Sequence, residues 1–527
     1  MSSLGMSQKA DSILSRTPLE FVGRRSHPGK AKSVDVYRPA HQIGGKHGFQ
    51  SVHTVAAKSP PSSLFQGNNQ YQFEIDPGQF HVANDAWLEI KFTVTGAAAR
   101  LAPTPLWIRQ ITFRNGQKDV FETYGQALLT NTILLHSQQQ LEGKVLRLMN
   151  MDDDYQPLPS YAQNSSHVLY CPLNSSLMGF GKICFSQLSG RLDMMIHAQS
   201  PVVSGSGVVT LTGLNLIVSS DVLSREDHSH FVQTYSNNVL ERRLLQPHRL
   251  LNSGVTLTAG SEYKFFLDSF SGRFSHFIVK IMASGATNAN NGLHDFVSPG
   301  DGALIDFKDP TGQSIYGQGT SVSYNFLKSF VWADHVLNNY ASKKNLIPIL
   351  FCHDLKRAYG GEIDGHIELR SQRNFISITP STAGTSCVQT LTLSGTSASG
   401  TYQLVFKGYA TDSLAYNANV ATIKAALEAL PSFQNWPGRP LTVTVSAAIS
   451  AGTSVTFTFD STAGNVSDLI ILVPGSLATS APAAVSGSTA LSTEGVPGFT
   501  TGTYDILVIG YKYRNFSQAF GELYISD

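Results

Sequence analysis

A short run of residues occurs twice. Ile111-Thr-Phe-Arg114, Gly116-Gln117 and Tyr124-Gly-Gln126 return in the same order as Ile305-Asp-Phe-Lys308, Gly312-Gln313 and Tyr316-Gly-Gln318, 194 residues on. Each copy then enters an apolar stretch of helical character, Ala127 to Leu135 in the first and Phe326 to Trp332 in the second. A recurrence at that distance is about the length of one β-domain, so it points to two similar domains in tandem. A chain of 527 residues has room for both, because it exceeds what one hydrophobic core usually holds.

The texture around the repeat is strand after strand. Tyr71-Gln-Phe-Glu-Ile75 and Leu88-Glu-Ile-Lys-Phe-Thr-Val94 alternate with period two, the signature of antiparallel sheets with one solvated face. Phe274 to Ile281, Asn345 to Phe351 and Phe375 to Ile378 continue that texture, and Gly, Asn, Ser and Pro clusters separate the runs, as in a sandwich or barrel. Residues 381–498 differ: their charged residues are only Lys407, Asp412, Lys424, Glu428, Arg439, Asp460, Asp468 and Glu494. They are nevertheless no linker. Tyr402-Gln-Leu-Val-Phe406 and Val455-Thr-Phe-Thr-Phe459 alternate as strands, and Val420, Ile423, Leu427 and Leu430 recur at helical spacing before Pro431. The apolar run Tyr504 to Tyr511 needs a sheet to join.

The expected organisation is therefore all-β: a basic arm at 1–47, a first sandwich at 48–225, a second built from 226–380 plus 499–527, and a small inserted β-rich, immunoglobulin-like module at 381–498. Surface loops tolerate such insertions best.

Charge restricts the partners. Lys plus Arg number 38 against 37 Asp plus Glu, and charged residues are 14% of the chain, so the whole molecule is not a polyanion binder. The arm is the exception. Lys9, Arg16, Arg24, Arg25, Lys30, Lys32, Arg38 and Lys46 face only Asp11, Glu20 and Asp35, in a segment too weakly apolar to fold alone. The longest apolar runs, such as Leu469 to Val473, are far below the ~20 residues of a membrane-spanning helix. The opening residues lack a charged-then-apolar secretion pattern, so folding in a cytosol is expected. Cys171, Cys184, Cys352 and Cys387 have no metal-ligand spacing and read as buried reduced thiols.

No catalytic motif emerges. Asp152, Asp153 and Asp154 could offer hard oxygen ligands, but without EF-hand spacing they read as a solvated turn. Asp227, His228 and His230 fall in the expected connection between the sandwiches, where a polar linker needs no metal. Gly205-Ser-Gly207 and Gly395 to Gly400 lack the strand-to-helix context of a nucleophile elbow and the lysine of a phosphate loop. The expectation is a non-enzyme without cofactor or metal.

Ile108 to Leu129, with its Ile-x-Phe-Arg-Asn-Gly-Gln and Tyr-Gly-Gln-Ala-Leu-Leu, resembles the strand and following helix of the first jelly roll in double jelly-roll major capsid proteins of tectivirus and adenovirus-hexon type. Ile506 to Ile525 resembles that family's closing strand, and 381–498 is similar to β-rich modules that decorate phage structural proteins. The resemblance implies two tandem jelly rolls in a homotrimer that presents a pseudo-hexameric tile of an icosahedral shell. It implies a place in the virion after synthesis in a host cytoplasm, with neighbouring capsomers and minor capsid proteins as partners. It also implies an inner-face position for the arm, its Lys9, Arg16, Arg24, Arg25, Lys30, Lys32, Arg38 and Lys46 bridging capsomers or touching an internal membrane or the genome. The competing reading is a spike or receptor-binding protein built from β-sandwiches, in which 381–498 does the recognition.

Overall fold

A computed structural model describes residues 49–526, apart from 59–68, 78–81, 179–184, 186–187, most of 223–239, 318–319, 337, 360–362, 371–372, 383, 385, 435–440, 453, most of 461–467, 480–483, 494–497 and 520–521. The basic arm, Cys184 and the Asp227, His228 and His230 group lie outside the described residues.

The first half contributes β1 (Phe49–Ala56), β2 (Gln70–Ile75), β3 (Val82–Thr95), β4 (Ile108–Asn115), β5 (Lys118–Thr123), β6 (Ser166–Pro172), β7 (Leu192–Ala198) and β8 (Val208–Val222). The second contributes β9 (Leu240–Leu257), β10 (Tyr263–Phe266), β11 (Gly272–Ala283), β12 (Leu304–Lys308), β13 (Val322–Ser323), β14 (Ile347–Leu350) and β15 (Phe375–Thr379). After these come β16 (Val388–Leu393), β17 (Thr401–Phe406), β18 (Val443–Val445), β19 (Ser454–Phe459), β20 (Ile471–Val473) and β21 (Gly487–Thr493), then β22 (Gly502–Ala519) and β23 (Glu522–Ser526).

The first eight strands form two antiparallel sheets in the orders β1-β8-β3-β6 and β2-β7-β4-β5. The second set forms β9-β22-β11-β14 and β10-β15-β12-β13. With β22 counted as the eighth strand of its set, both halves pair first with eighth, third and sixth, and second with seventh, fourth and fifth. That shared order is the jelly roll, present twice.

The repeat falls on equivalent strands. Ile111 and Phe113 on β4 pair with Ile196 and Met194 of the seventh strand, and Ile305 and Phe307 on β12 pair with Ile378 and Ile376 of its counterpart. Gly116 and Gly312 occupy the following turns at φ of 63° and 88°, a region open to glycine at no steric cost. The third match is not structural. Tyr124 directly precedes helix α1 (Gly125–Leu135), whereas Tyr316 lies in a loop and its helix starts only at Tyr324, after β13. The second copy widens its hairpin with a turn held by the Asp309 carboxylate, which accepts from the amides of Thr311 and Gln313, both at 2.9 Å. The chain then reaches its helix later. That helix, α2, is the continuous segment Tyr324–Phe326, Leu327–Val331 and Trp332–His335.

Three hydrophobic cores result. The inside of the second sandwich is one, built on Phe277, Val279, Ile281, Ile376, Ile506 and Val508. A second lies wholly within 387–485. The largest fills the first sandwich with Leu88, Ile90, Phe92, Ile111 and Ile196 and runs on without a break into Ile278, Met282, Trp332, Tyr340, Tyr359, Leu507, Ile509 and Tyr511. Because side chains alternate across a strand, β11 and β22 feed two cores, one from each face.

The segment between β15 and β22 carries the sheet β18-β19-β16-β21, the pair β17 with β20, and helix α3 (Val420–Glu428). The Asn419 carboxamide caps α3 by accepting from Thr422 N at 2.8 Å. Ile423 and Leu427 are buried as the spacing predicts, but Val420 is exposed, since the first helical residue overhangs the packed face. The chain leaves and re-enters the second sandwich side by side: Ser381 N donates to Pro299 O at 2.8 Å, and Phe499 N to Thr382 O at 3.2 Å.

Candidate functional site: the junction of the two sandwiches

Helix α1 lies between the sandwiches. Nearly every residue from Gly125 to Leu135 is buried, so it has no polar stripe and must satisfy its polar groups internally or across the boundary. Thr130 and Thr132 donate their hydroxyls back to Gln126 O and Leu128 O at 2.7 and 2.8 Å. Asn131 donates to Asn174 O at 2.9 Å and accepts from the Tyr359 hydroxyl of the second sandwich at 2.6 Å. The end of α1 is closed from across the boundary as well. Asn338 donates to Ile133 O at 2.8 Å and His136 O at 3.0 Å, taking carbonyls that a helix C-terminus leaves open. Its own oxygen accepts from Trp332 Nε1 at 3.0 Å, which fixes the amide's orientation.

Opposite α1 stands the outer face of the sheet β9-β22-β11-β14. Arg249 of β9 lies 4.5 Å from the ring centre of Tyr124. Lys280 of β11 is fully buried and donates to Thr130 Oγ1 at 3.0 Å, with Gln126 O and Oε1 at 3.4 and 3.5 Å. Its ammonium also lies 5.0 Å from the Phe296 ring centre. Among the described contacts its partners are neutral, so burial alone lowers its pKa, to about 7.

Tyr155 is the deepest link. It belongs to the first sandwich yet is fully buried with φ of 58°, a left-handed conformation unusual for a bulky residue. Its hydroxyl reaches Gln138 Oε1 at 3.0 Å and Asn339 Oδ1 at 3.2 Å, its ring meets Tyr340 edge-on at 4.9 Å, and its carbonyl pairs with His294 Nε2. Burial, with Lys344 nearby, pushes the His294 imidazole down to about 3. Burial raises the Asp295 carboxyl, but Lys344 at 2.7 Å and His294 outweigh it and hold the group below its ordinary range.

Asp152, Asp153 and Asp154 form a turn, and part of it faces the second sandwich. Asp152 Oδ1 accepts from the amides of Asp154 and Gln156 at 2.9 and 2.8 Å, and burial raises its pKa. Asp154 pairs with Lys343 at 2.6 Å, and Lys343 also donates to Asp153 O at 3.2 Å. The turn thus clasps two domains. No spacing in the sequence could show this, since Asp154 and Lys343 are 189 residues apart. The same applies to Tyr155, Asn338 and Lys280, which belong to no motif. Cys171, Cys352 and Cys387 are buried free thiols. Among the described residues no three His, Cys, Asp or Glu side chains converge as a metal site, and no helix is long and apolar enough to cross a membrane. The concave surface lined by Asn115, Gly116, Gln117, Lys118, Ser189, Gly190, Arg191 and Leu523 contains neither histidine nor carboxylate.

Two solved structures share this architecture. PBCV-1 VP54, in a crystal structure fitted into a cryo-EM reconstruction of the virophage Sputnik, matches with a TM-score of 0.53 at 10% identity, covering 92% of this chain and 98% of that one. A chain of the PBCV-1 virus capsid, from a quasi-atomic model, matches with a TM-score of 0.54 at 10% identity over the same shares. No family model and no curated protein matches the sequence. The likeness is one of fold, the two tandem jelly rolls described above.

Proposed function

We propose that this chain is a viral major capsid protein, located in the virion shell, whose homotrimer forms a pseudo-hexameric capsomer. The observation that carries the reading is the pair of sandwiches with one strand order, locked into a single body by the continuous core and the polar contacts around α1. Two equivalent walls per chain let three chains present six similar corners, and a closed ring leaves no contact unsatisfied. Building a shell calls for surface and rigidity, so the proposed role includes no catalysis. Neighbouring capsomers and minor capsid proteins are the proposed partners. Lys9, Arg16, Arg24, Arg25, Lys30, Lys32, Arg38 and Lys46 are proposed as inner-face contacts to them, to an internal membrane or to the genome, on charge alone. Residues 381–498 are proposed as a separately folding decoration between the seventh and eighth strands of the second jelly roll, a reading supported by their own closed core.

Light scattering on the purified native protein tests the reading. A mass of three chains, and hexagonal tiles by electron microscopy, are expected; a monomer at all concentrations refutes it.

A further inference from the structure

The two jelly rolls have the same sheets but not the same covering. In the second, the row Arg249, Ile509, Ile278 and Pro348 crosses the outer face of β9-β22-β11-β14; Ile509, Ile278 and Pro348 are buried, Ile509 and Ile278 in the core that continues from the first sandwich. The first jelly roll has the matching row Thr54, Ile217, Trp87 and Pro172 across β1-β8-β3-β6, ending like the other on a proline of the sixth strand. Here Thr54 is exposed, Ile217 and Trp87 are partly buried, Pro172 is buried, and Val52 and Val168 on the same face are 68% and 47% exposed.

The helices are unequal in the complementary sense. Counted from their first residues Gly125 and Tyr324, Ser329 corresponds to Thr130 and Phe330 to Asn131, two of the residues of α1 whose side chains engage the second sandwich. On α2 that surface is bare. Phe326 and Phe330 are 48% and 61% exposed and stack on each other at 4.9 Å with an interplanar angle of 20°. Adjacent exposed aromatic rings are unusual on a solvated helix and point to a surface that is covered elsewhere.

We infer that α2 of one chain docks through Phe326 and Phe330 on the Trp87–Ile217 face of the first jelly roll of a second copy, repeating between chains the contact that α1 makes within one. The inference rests on the trimer proposed above and names its contact surface. Among the described residues each chain offers one helix face with exposed aromatic rings and one partly open sheet face, so the contact is head-to-tail, and it closes once the last helix meets the first sheet. Within a chain the boundary is lined with polar groups such as Thr130, Asn131 and Lys280; between chains it is aromatic and aliphatic, which suits surfaces that must first meet as separate molecules.

The test is light scattering of the full-length chain over a concentration series, for wild type, the Phe326→Ser/Phe330→Ser variant and Ile217→Lys. Both substitutions fall on side chains that are at least partly exposed, and circular dichroism and melting curves establish that each variant keeps its fold. The expected result is a three-chain wild type and an at least tenfold rise in the concentration at which either variant assembles. A wild-type trimer whose midpoint stays within twofold in a folded variant overturns the docking surface and leaves the capsid reading standing. A wild type that is monomeric throughout overturns both.

Discussion

The junction around α1 and the attachment of residues 381–498 are two ways of joining folded units, and they differ in what crosses the boundary. At the junction, apolar side chains from both sandwiches belong to one cluster, and buried polar groups on each side find their partners on the other. At the attachment, two adjacent strands of chain pass, held by backbone bonds at Ser381 and Phe499, while the hydrophobic cluster of 387–485 contains no residue of either sandwich. The first arrangement should make the two jelly rolls melt as one cooperative body, and the second should leave a module whose removal opens no core.

The sharpest way to break this contrast is Tyr155→Ala. It removes a fully buried ring from the far side of the junction, together with its edge-on contact to Tyr340, so a loss of about 3–5 kcal/mol is expected, read by denaturant unfolding of the whole sandwich pair. A biphasic curve in the wild type would show that the two sandwiches unfold separately.

Lys280→Met acts in the opposite direction. The buried ammonium has a folded pKa of about 7, below its ordinary value of 10.5. Between those values the unfolded chain binds more protons than the folded one, so stability rises with pH through that window, and the burial cost is fully present below it. The substitution should stabilise the protein by roughly 1–3 kcal/mol at pH 6 and abolish the rise, measured as the slope of unfolding free energy between pH 7 and 10. A wild-type slope of zero there would place a countercharge near Lys280.

Asn338→Ala takes the side-chain donor from His136 O and leaves Ile133 O only the long bond from His136 N at 3.4 Å, at an expected cost of about 1–2 kcal/mol, with weakened hydrogen-exchange protection confined to the last turn of α1. The smallest effect is expected from deleting 383–498 behind a short Gly/Ser linker. Sandwich stability should change by less than about 1 kcal/mol, the scale of ordinary surface changes, and a larger loss would show that the module supports the second sandwich.

Much of this architecture can be read from residue order. Alternation announced the strands from Tyr71 to Ile75 and from Leu88 to Val94, and the repeat at Ile111 and Ile305 announced two similar domains; in the structure it falls on the fourth strand of each sandwich. The repeat misled at Tyr316, because a widened hairpin shifts the helix without erasing the residue match. The junction was hidden. An aspartate triplet with no motif value holds Lys343, and one asparagine, Asn338, closes a helix from the other sandwich.

What the chain fixes locally is periodicity and turn chemistry, since a strand's alternation and a glycine's positive φ depend on neighbours a few residues away. Which of two equivalent sheets is covered, and by what, depends on side chains such as Lys280 and Thr130 or Tyr359 and Asn131, 150 and 228 residues apart, meeting in space. Alternation alone assigns β11 one buried face; folding buries both, because the first sandwich, through α1, covers the other.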